Sequence, residues 1–186
     1  MRLLLCLAGM FLFGGVTIAQ SKVPDLDKSP MDMSYWPNNY PLLKMNGKAK
    51  EMPVARIIYS RPAKNGRVIF GGLLRYNELW RLGANESTEI EFFRPVNIGG
   101  KPIQKGRYTL YCIPTEKKWT LILNTDNYAW GSFTYDNKKD VVRITCDVIA
   151  SGEPVEFFSA FFEEKPTGAN LVFEWDTLKV TLPISF

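Results

Sequence analysis

Four arginines, two tyrosines, a tryptophan and the Asn85-Glu86 pair are concentrated in one stretch of the chain, YSRPAKNGRVIFGGLLRYNELWRLGANESTEIEF, residues 59–92. A planar guanidinium presents a fork of donors that suits carboxylate, phosphate or sulfate, and it also stacks on aromatic rings. The Asn65-Gly66 pair predicts a hairpin that returns the chain toward its start. The stretch therefore predicts a small basic pocket with aromatic walls. Its candidate ligand-binding residues are Tyr59, Arg61, Arg67, Trp80, Arg81, Asn85 and Glu86.

The same residues also have a purely structural interpretation. The arginines could pair with Glu78, Glu86, Glu89 or Glu91 and hold the loop in place, because ion pairs of this kind are common on surfaces. Asn85 follows Gly83-Ala84 and precedes a predicted strand, which favours a left-handed turn position. Glu86 is a weak candidate for a catalytic acid, and the alternative is a partner for Arg81.

Complete catalytic constellations are missing from the sequence. The chain has no histidine, the usual general base of serine and cysteine hydrolases and the commonest metal ligand. A glycosidase needs two carboxylates, and no spacing selects a second one to act with Glu86. Asp25, Asp27 and Asp32 lack the spacing and the glycine of a calcium loop. The sequence leaves enzyme activity undecided, leaning against it, and it predicts neither a metal nor a cofactor.

The interpretation that these residues favour is a non-catalytic binding module for a carbohydrate or a small anionic ligand, held by stacking and forked hydrogen bonds. Two alternatives remain open. One is a glycosidase-like hydrolase that uses Glu86, and the other is an interaction or structural domain of the cell envelope. Nothing in the sequence indicates an oligomeric state.

Composition and charge describe an ordinary globular chain. It has 186 residues, of which 46% are hydrophobic and 23% charged, with a formal net charge of +4. The basic residues are spread among acidic ones rather than clustered, so a nucleic-acid partner is not expected. Residues 20–51 carry Pro24, Pro30, Pro37 and Pro41 with little periodicity, which predicts an extended arm. Residues 52–186 then form one domain.

The beginning of the chain, MRLLLCLAGMFLFGGVTIAQ, has the pattern of a secretory signal peptide. Arg2 is followed by an apolar run to about Val16, which is shorter than a bilayer span requires. The small residues that end at Ala19 predict cleavage after residue 19. We therefore expect export across the inner membrane to the periplasm or the extracellular space, without a membrane span.

Two cysteines, Cys112 and Cys146, remain beyond the leader. Each alternates with apolar neighbours, so both should face the core. An oxidising compartment makes a disulfide between them possible. Two buried free thiols are an equally good interpretation, because free cysteine is among the most buried residue types.

Short runs of β-branched and aromatic residues recur between turn residues, the pattern of an antiparallel sandwich or barrel. We expect an all-β domain of about ten strands, an antiparallel β-sandwich with a jelly-roll-like arrangement, since so many strands need two packed layers. The segment 73–82 could be one short helix or an irregular excursion. No repeat or second domain is indicated.

Several motifs in order resemble the bacterial secreted family known as domain of unknown function 2911 (DUF2911). They are DKSPMDMSYWPNNYP, YSRPxxxGRxIFG, WRLGANExTxIxF, GxYTLYCIP, the Trp130-Gly131 pair, the DVVR run that begins at Asp140, and WDTLKVTLPISF. The resemblance spans nearly the whole chain beyond the leader. It implies an exported bacterial protein and supplies no activity.

Overall fold

The structure is a computed structural model that describes residues 23–186. The predicted signal peptide and its cleavage site after Ala19 lie outside the described residues. The strands are β1 (Met31–Trp36), β2 (Ala55–Ser60), β3 (Glu89–Phe92), β4 (Val96–Ile98), β5 (Lys101–Ile103), β6 (Gly106–Pro114), β7 (Lys118–Asn124), β8 (Asp140–Lys165) and β9 (Gly168–Ser185). A short helix, α1 (Tyr40–Met45), and a 3-10 turn (Asn137–Lys139) complete the regular structure of this part of the chain.

All the paired strands are antiparallel, in the order β1-β2-β3-β6-β7-β8-β9-β4-β5. The all-β, antiparallel prediction is confirmed, with nine strands among the described residues. The strands form one continuous succession because β8 is 26 residues long and takes part in two ladders. Its first part, to Asp147, pairs with β7, and from Val148 onward it pairs with β9. Register shifts between Ala150 and Ser159 mark the irregular part of β8.

One hydrophobic core draws on both ends of the strand order, the strands up to β7 and those from the second part of β8 onward. It contains Trp80 from the central stretch, Trp119 from β7, Phe158 from β8 and Trp175 from β9. The Trp80 and Trp175 rings stack with centroids 6.0 Å apart, and Trp119 meets Trp80 edge-on at 5.6 Å. Aromatic pairs in these geometries add to the burial energy of the rings. The core therefore joins side chains from the central stretch and from strands far apart in the strand order.

The proline-rich arm contains more regular structure than its composition predicted. Residues 31–36 form β1, which pairs along its length with β2, and α1 follows. The six residues between Pro30 and Pro37 contain no proline, and β1 lies at the end of the strand order, where flanking prolines are tolerated. The aromatic residues of the arm serve as anchors. Tyr40 is buried, and Trp36 packs against the core.

The central stretch is largely irregular. Asn65 and Gly66 both have positive φ, as the predicted tight turn requires, but no strand forms over residues 67–70. Residues 73–82 form turns and two isolated bridges, at Leu74 and Trp80, rather than a helix, so the irregular alternative is the observed one. Trp80 pairs through its backbone with Cys112 of β6. This pairing fixes the position of the loop that carries Arg81.

Candidate functional site

A cleft of about 260 Å³ lies beside the aromatic core, and the central stretch supplies most of its lining. Trp80 and Trp175 form its aromatic side, and Leu73 and Leu74 border it. The two charged side chains in its lining are Arg67 and Arg81, and none of its described lining residues is acidic. The structure therefore brings together three of the predicted site residues, Arg67, Trp80 and Arg81, in a pocket of positive charge.

Arg81 is the most unusual side chain of the cleft. Its Nε atom is buried and has no hydrogen-bond partner. No carboxylate among residues 23–186 forms an ion pair with it. Burial lowers the pKa of this guanidinium from its ordinary value, and because arginine starts so high, the side chain still carries its charge at neutral pH. A half-buried cation without a counter-charge lacks the partner that normally offsets the cost of removing it from water.

The backbone after Arg81 has an uncommon conformation. Leu82, Gly83 and Asn85 have φ values of 55°, 154° and 58°. The left-handed conformation of Asn85 was predicted and is confirmed, whereas Leu82 is a fully buried residue in a conformation that few non-glycine residues adopt. The Thr88 hydroxyl donates to the Leu82 carbonyl, and Trp80 Nε1 donates to the Gly83 carbonyl at 3.0 Å. Strain held in place by surrounding contacts is a feature of many functional sites.

The other two predicted arginines have partners within the protein. Arg67 Nε donates to the Lys64 carbonyl at 3.0 Å and its Nη2 donates to the Ala63 carbonyl, which holds this exposed side chain beside the cleft. Arg61 pairs with Asp32 at 3.0 Å and also donates to Ser159 Oγ at 3.0 Å. Arg61 therefore ties β1 to the second part of β8 and lies outside the cleft lining.

Tyr59 and Trp80 are core residues. Tyr59 is 3% exposed, and its ring meets that of Phe158 edge-on at 5.8 Å. Trp80 is 5% exposed, so only the margin of its indole borders the cleft. The Asn85 carbonyl accepts from the Gly131 backbone at 2.9 Å, and this residue fixes the backbone beside the cleft rather than lining it.

Glu86 lies in a different cavity, of about 250 Å³, with an apolar floor. Met31, Ile58 and Ala129 supply that floor, and Glu89 is the second carboxylate of the lining. Since Glu86 is not part of the cleft, the structure does not bring together the carboxylate and the arginine that the sequence suggested as partners.

Cys112 and Cys146 are both buried free thiols, which was the second of the two interpretations of the sequence. Cys112 lies on β6 opposite Leu121, and Cys146 lies on β8 opposite Trp119, so β7 separates them. Two strand spacings amount to about 9.6 Å, well beyond the reach of a disulfide. Burial raises the pKa of Cys146 to about 11 and that of Cys112 well above its ordinary value.

We expect both thiols to resist alkylation in the native state, because the reactive thiolate is scarce at pH 8 when the pKa lies so far above it. Peptide mapping after iodoacetamide treatment should show unmodified Cys112 and Cys146 in the native protein and full modification of both in guanidinium. Modification of the two thiols in guanidinium only after reduction would instead demonstrate a disulfide.

Sequence reasoning missed a polar cluster around Asp140 at the start of β8. One carboxylate oxygen accepts from the Tyr135 hydroxyl at 2.7 Å and from Arg143 Nε at 2.8 Å, and the other accepts from Asn124 Nδ2 at 2.8 Å. Burial and the Asp140 carboxylate raise the pKa of Tyr135 to about 12. Asp140 and Arg143 are three residues apart on a strand, which normally places side chains on opposite faces, so their spacing gave no signal.

The described residues offer no group of three His, Cys, Asp or Glu side chains that could hold a metal ion. Within residues 23–186, none of the helices has the length and apolar character needed to cross a membrane. The family model described as "Protein of unknown function (DUF2911)" matches residues 43–184. The match begins within α1, so the DKSPMDMSYWPNNYP motif lies outside it. No curated protein and no solved structure matches the chain.

Proposed function

The chain belongs to the DUF2911 family, and we propose that it is an exported binding protein for a small ligand with a carboxylate or phosphate group, held in the cleft beside Arg81. Export rests on the leader-like pattern of residues 1–19. The binding role rests on the cleft, where two arginines, two tryptophans and two leucines meet without an acidic side chain.

One observation carries the proposal. Arg81 is half-buried in the cleft lining, its Nε has no hydrogen-bond partner, and none of the described carboxylates neutralises it. An anion that entered the cleft would supply both the missing hydrogen bond and the missing charge. Charge-assisted bonds between a guanidinium and a carboxylate or phosphate are among the strongest hydrogen bonds in proteins.

The rest of the cleft defines the shape of the ligand. Its volume of about 260 Å³ lies just below the range of ordinary small-molecule sites, which favours a compact ligand such as a single sugar acid. Trp80, Trp175 and the two leucines provide apolar contacts for the part of the ligand that is not charged. Arg67, exposed beside the cleft, adds positive potential that attracts an anion from solution.

The experiment is a thermal-shift comparison of a sugar acid with its neutral parent, glucuronate with glucose. A ligand at one hundred times its Kd stabilises the folded state by about 2.7 kcal/mol. Glucuronate should therefore raise the Tm of the wild-type protein by about 5–10 °C, and glucose should not. The same assay with inorganic phosphate tests the alternative anion.

Two arginine variants make the test specific. Arg81→Gln should lose the glucuronate or phosphate response, because it removes the buried guanidinium of the cleft that has no partner. Arg75→Gln is the matched control. Arg75 is exposed, forms an ion pair of 3.5 Å with Glu78, and is not part of the cleft lining. This variant should keep the response. The proposal is overturned if no anion shifts the wild-type Tm, or if Arg81→Gln responds as the wild type does.

A further inference from the structure

The cleft and the Glu86 cavity are neighbours in the fold. The arm places Ser29 in the lining of the cleft and Met31 in that of the cavity. The central loop contributes Ala84 to the first and Glu86 to the second. Two residues of extended chain span about 7 Å, so the two sites adjoin each other along both segments.

A third segment also connects the two linings. Ile58 of β2 lines the cavity, and Pro62, just beyond the end of β2, lines the cleft. Four residues of extended chain span about 13 Å. Along these three segments, the paired lining residues of the two sites are therefore at most about 7 Å or 13 Å apart.

The two sites have opposite charge. In the cavity, Glu89 already accepts a hydrogen bond from the Tyr128 backbone at 2.8 Å and pairs with Arg107 at 3.5 Å. Glu86 is exposed, and within residues 23–186 it has no ion-pair partner. One negative charge of the cavity and the positive charge of Arg81 are thus both left without a partner.

The surroundings of Glu86 suit an ammonium group attached to a short apolar chain. Met31, Ile58 and Ala129 provide the apolar floor of the cavity. An ammonium has three donors and pairs readily with a carboxylate. The carboxylate here is Glu86, and the apolar floor would pack against the carbon atoms beside the ammonium.

We propose that the cleft and the cavity form one extended site for a short zwitterionic peptide, with the peptide carboxylate at Arg81 and its ammonium at Glu86. An extended peptide advances about 3.3–3.6 Å per residue, so a peptide of about two to four residues is long enough to span the distance between neighbouring lining residues of the two sites. This inference rests on the proposed anion site and specifies its ligand. The segment 81–86 serves both halves, since the left-handed residues between Arg81 and Glu86 place the two side chains in different pockets.

The test is calorimetric titration of the folded protein with trialanine and with its two blocked forms, N-acetyl-trialanine and trialanine amide. Trialanine should bind the wild type, and either blocking group should weaken binding about threefold to tenfold, the range expected for one charge-assisted contact at a partly exposed site. A length series from dialanine to hexaalanine should show the tightest binding at three or four residues.

Charge-neutral variants assign each end of the peptide. Glu86→Gln should bind trialanine and N-acetyl-trialanine with the same affinity. Arg81→Gln should bind trialanine and trialanine amide with the same affinity. Glu78→Gln is the control, because Glu78 is exposed and outside both linings, and it should bind as the wild type does.

The outcomes separate this inference from the proposed function. Equal binding of trialanine and N-acetyl-trialanine, lost in Arg81→Gln, overturns the zwitterionic site and leaves the anion site standing. A response to glucuronate or phosphate without any binding of trialanine likewise overturns the zwitterionic site and supports the anion site. If no anion and no peptide binds, both proposals fail.

Discussion

Replacing Trp80 with alanine is expected to lower the free energy of unfolding by about 3–5 kcal/mol, the usual cost of removing a buried tryptophan. Trp80 is 5% exposed and contacts the rings of Phe158 and Trp175, so alanine would leave a large cavity in the aromatic core. It would also remove the hydrogen bond that Trp80 Nε1 donates to Gly83. Urea denaturation, followed by the loss of β-sheet circular dichroism, measures the effect.

Trp130→Ala is the matched control for this prediction. Trp130 is 60% exposed, and surface substitutions of this kind change stability by no more than about 0.5 kcal/mol. If the two variants unfolded at the same urea concentration, Trp80 would not be a core residue. Its role as a ligand contact, which the sequence suggested, would then become the better interpretation.

Replacing Asp140 with alanine should cost about 2–4 kcal/mol, because the change removes one charged acceptor and leaves several donors unsatisfied. The side chain of Asp140 is 10% exposed, and it accepts from Asn124, Tyr135 and Arg143. Those residues join the end of β7, the following loop and the start of β8. The loss should appear as a lower urea midpoint with an unchanged m value.

Asp147→Ala tests whether the effect belongs to the cluster or to any carboxylate on β8. Asp147 is exposed and lies 3.7 Å from the Lys118 ammonium. Exposed pairs of this kind contribute little, so the urea midpoint should stay within experimental error of the wild type. Equal losses in the two variants would show that the hydrogen bonds of Asp140 add nothing specific.

The sequence alone was sufficient to predict the all-β fold class and the backbone conformation of individual turns. The apolar-polar alternation of residues 89–92 agrees with the burial of Ile90 and Phe92 in the core and the partial exposure of Glu89 and Glu91. The left-handed turn at Asn85 and the turn at Asn65-Gly66 followed from residue chemistry alone. Each of these predictions depends on neighbours within a few residues, which is the range over which a single sequence carries a clear signal.

The site depended on contacts that no local pattern encodes. Trp80 is buried because Trp175, 95 positions later in the chain, stacks on it. Arg81 and Glu86 looked like partners because they are close in sequence, but the left-handed backbone between them directs the two side chains into separate pockets. Predicting either result requires knowing which strands meet, and the sequence did not show that the second part of β8 packs against the central stretch.

The pairing of β4 has a consequence for the order in which the protein folds. The β4–β5 hairpin is complete at residue 103, yet the next ladder partners of β4 are Ile184 and Ser185 of β9. The second edge of β4 is thus covered by residues about eighty positions further along the chain. Closing so long a loop is entropically costly and slow. We therefore expect the contact between β4 and β9 to form later than the local β4–β5 hairpin.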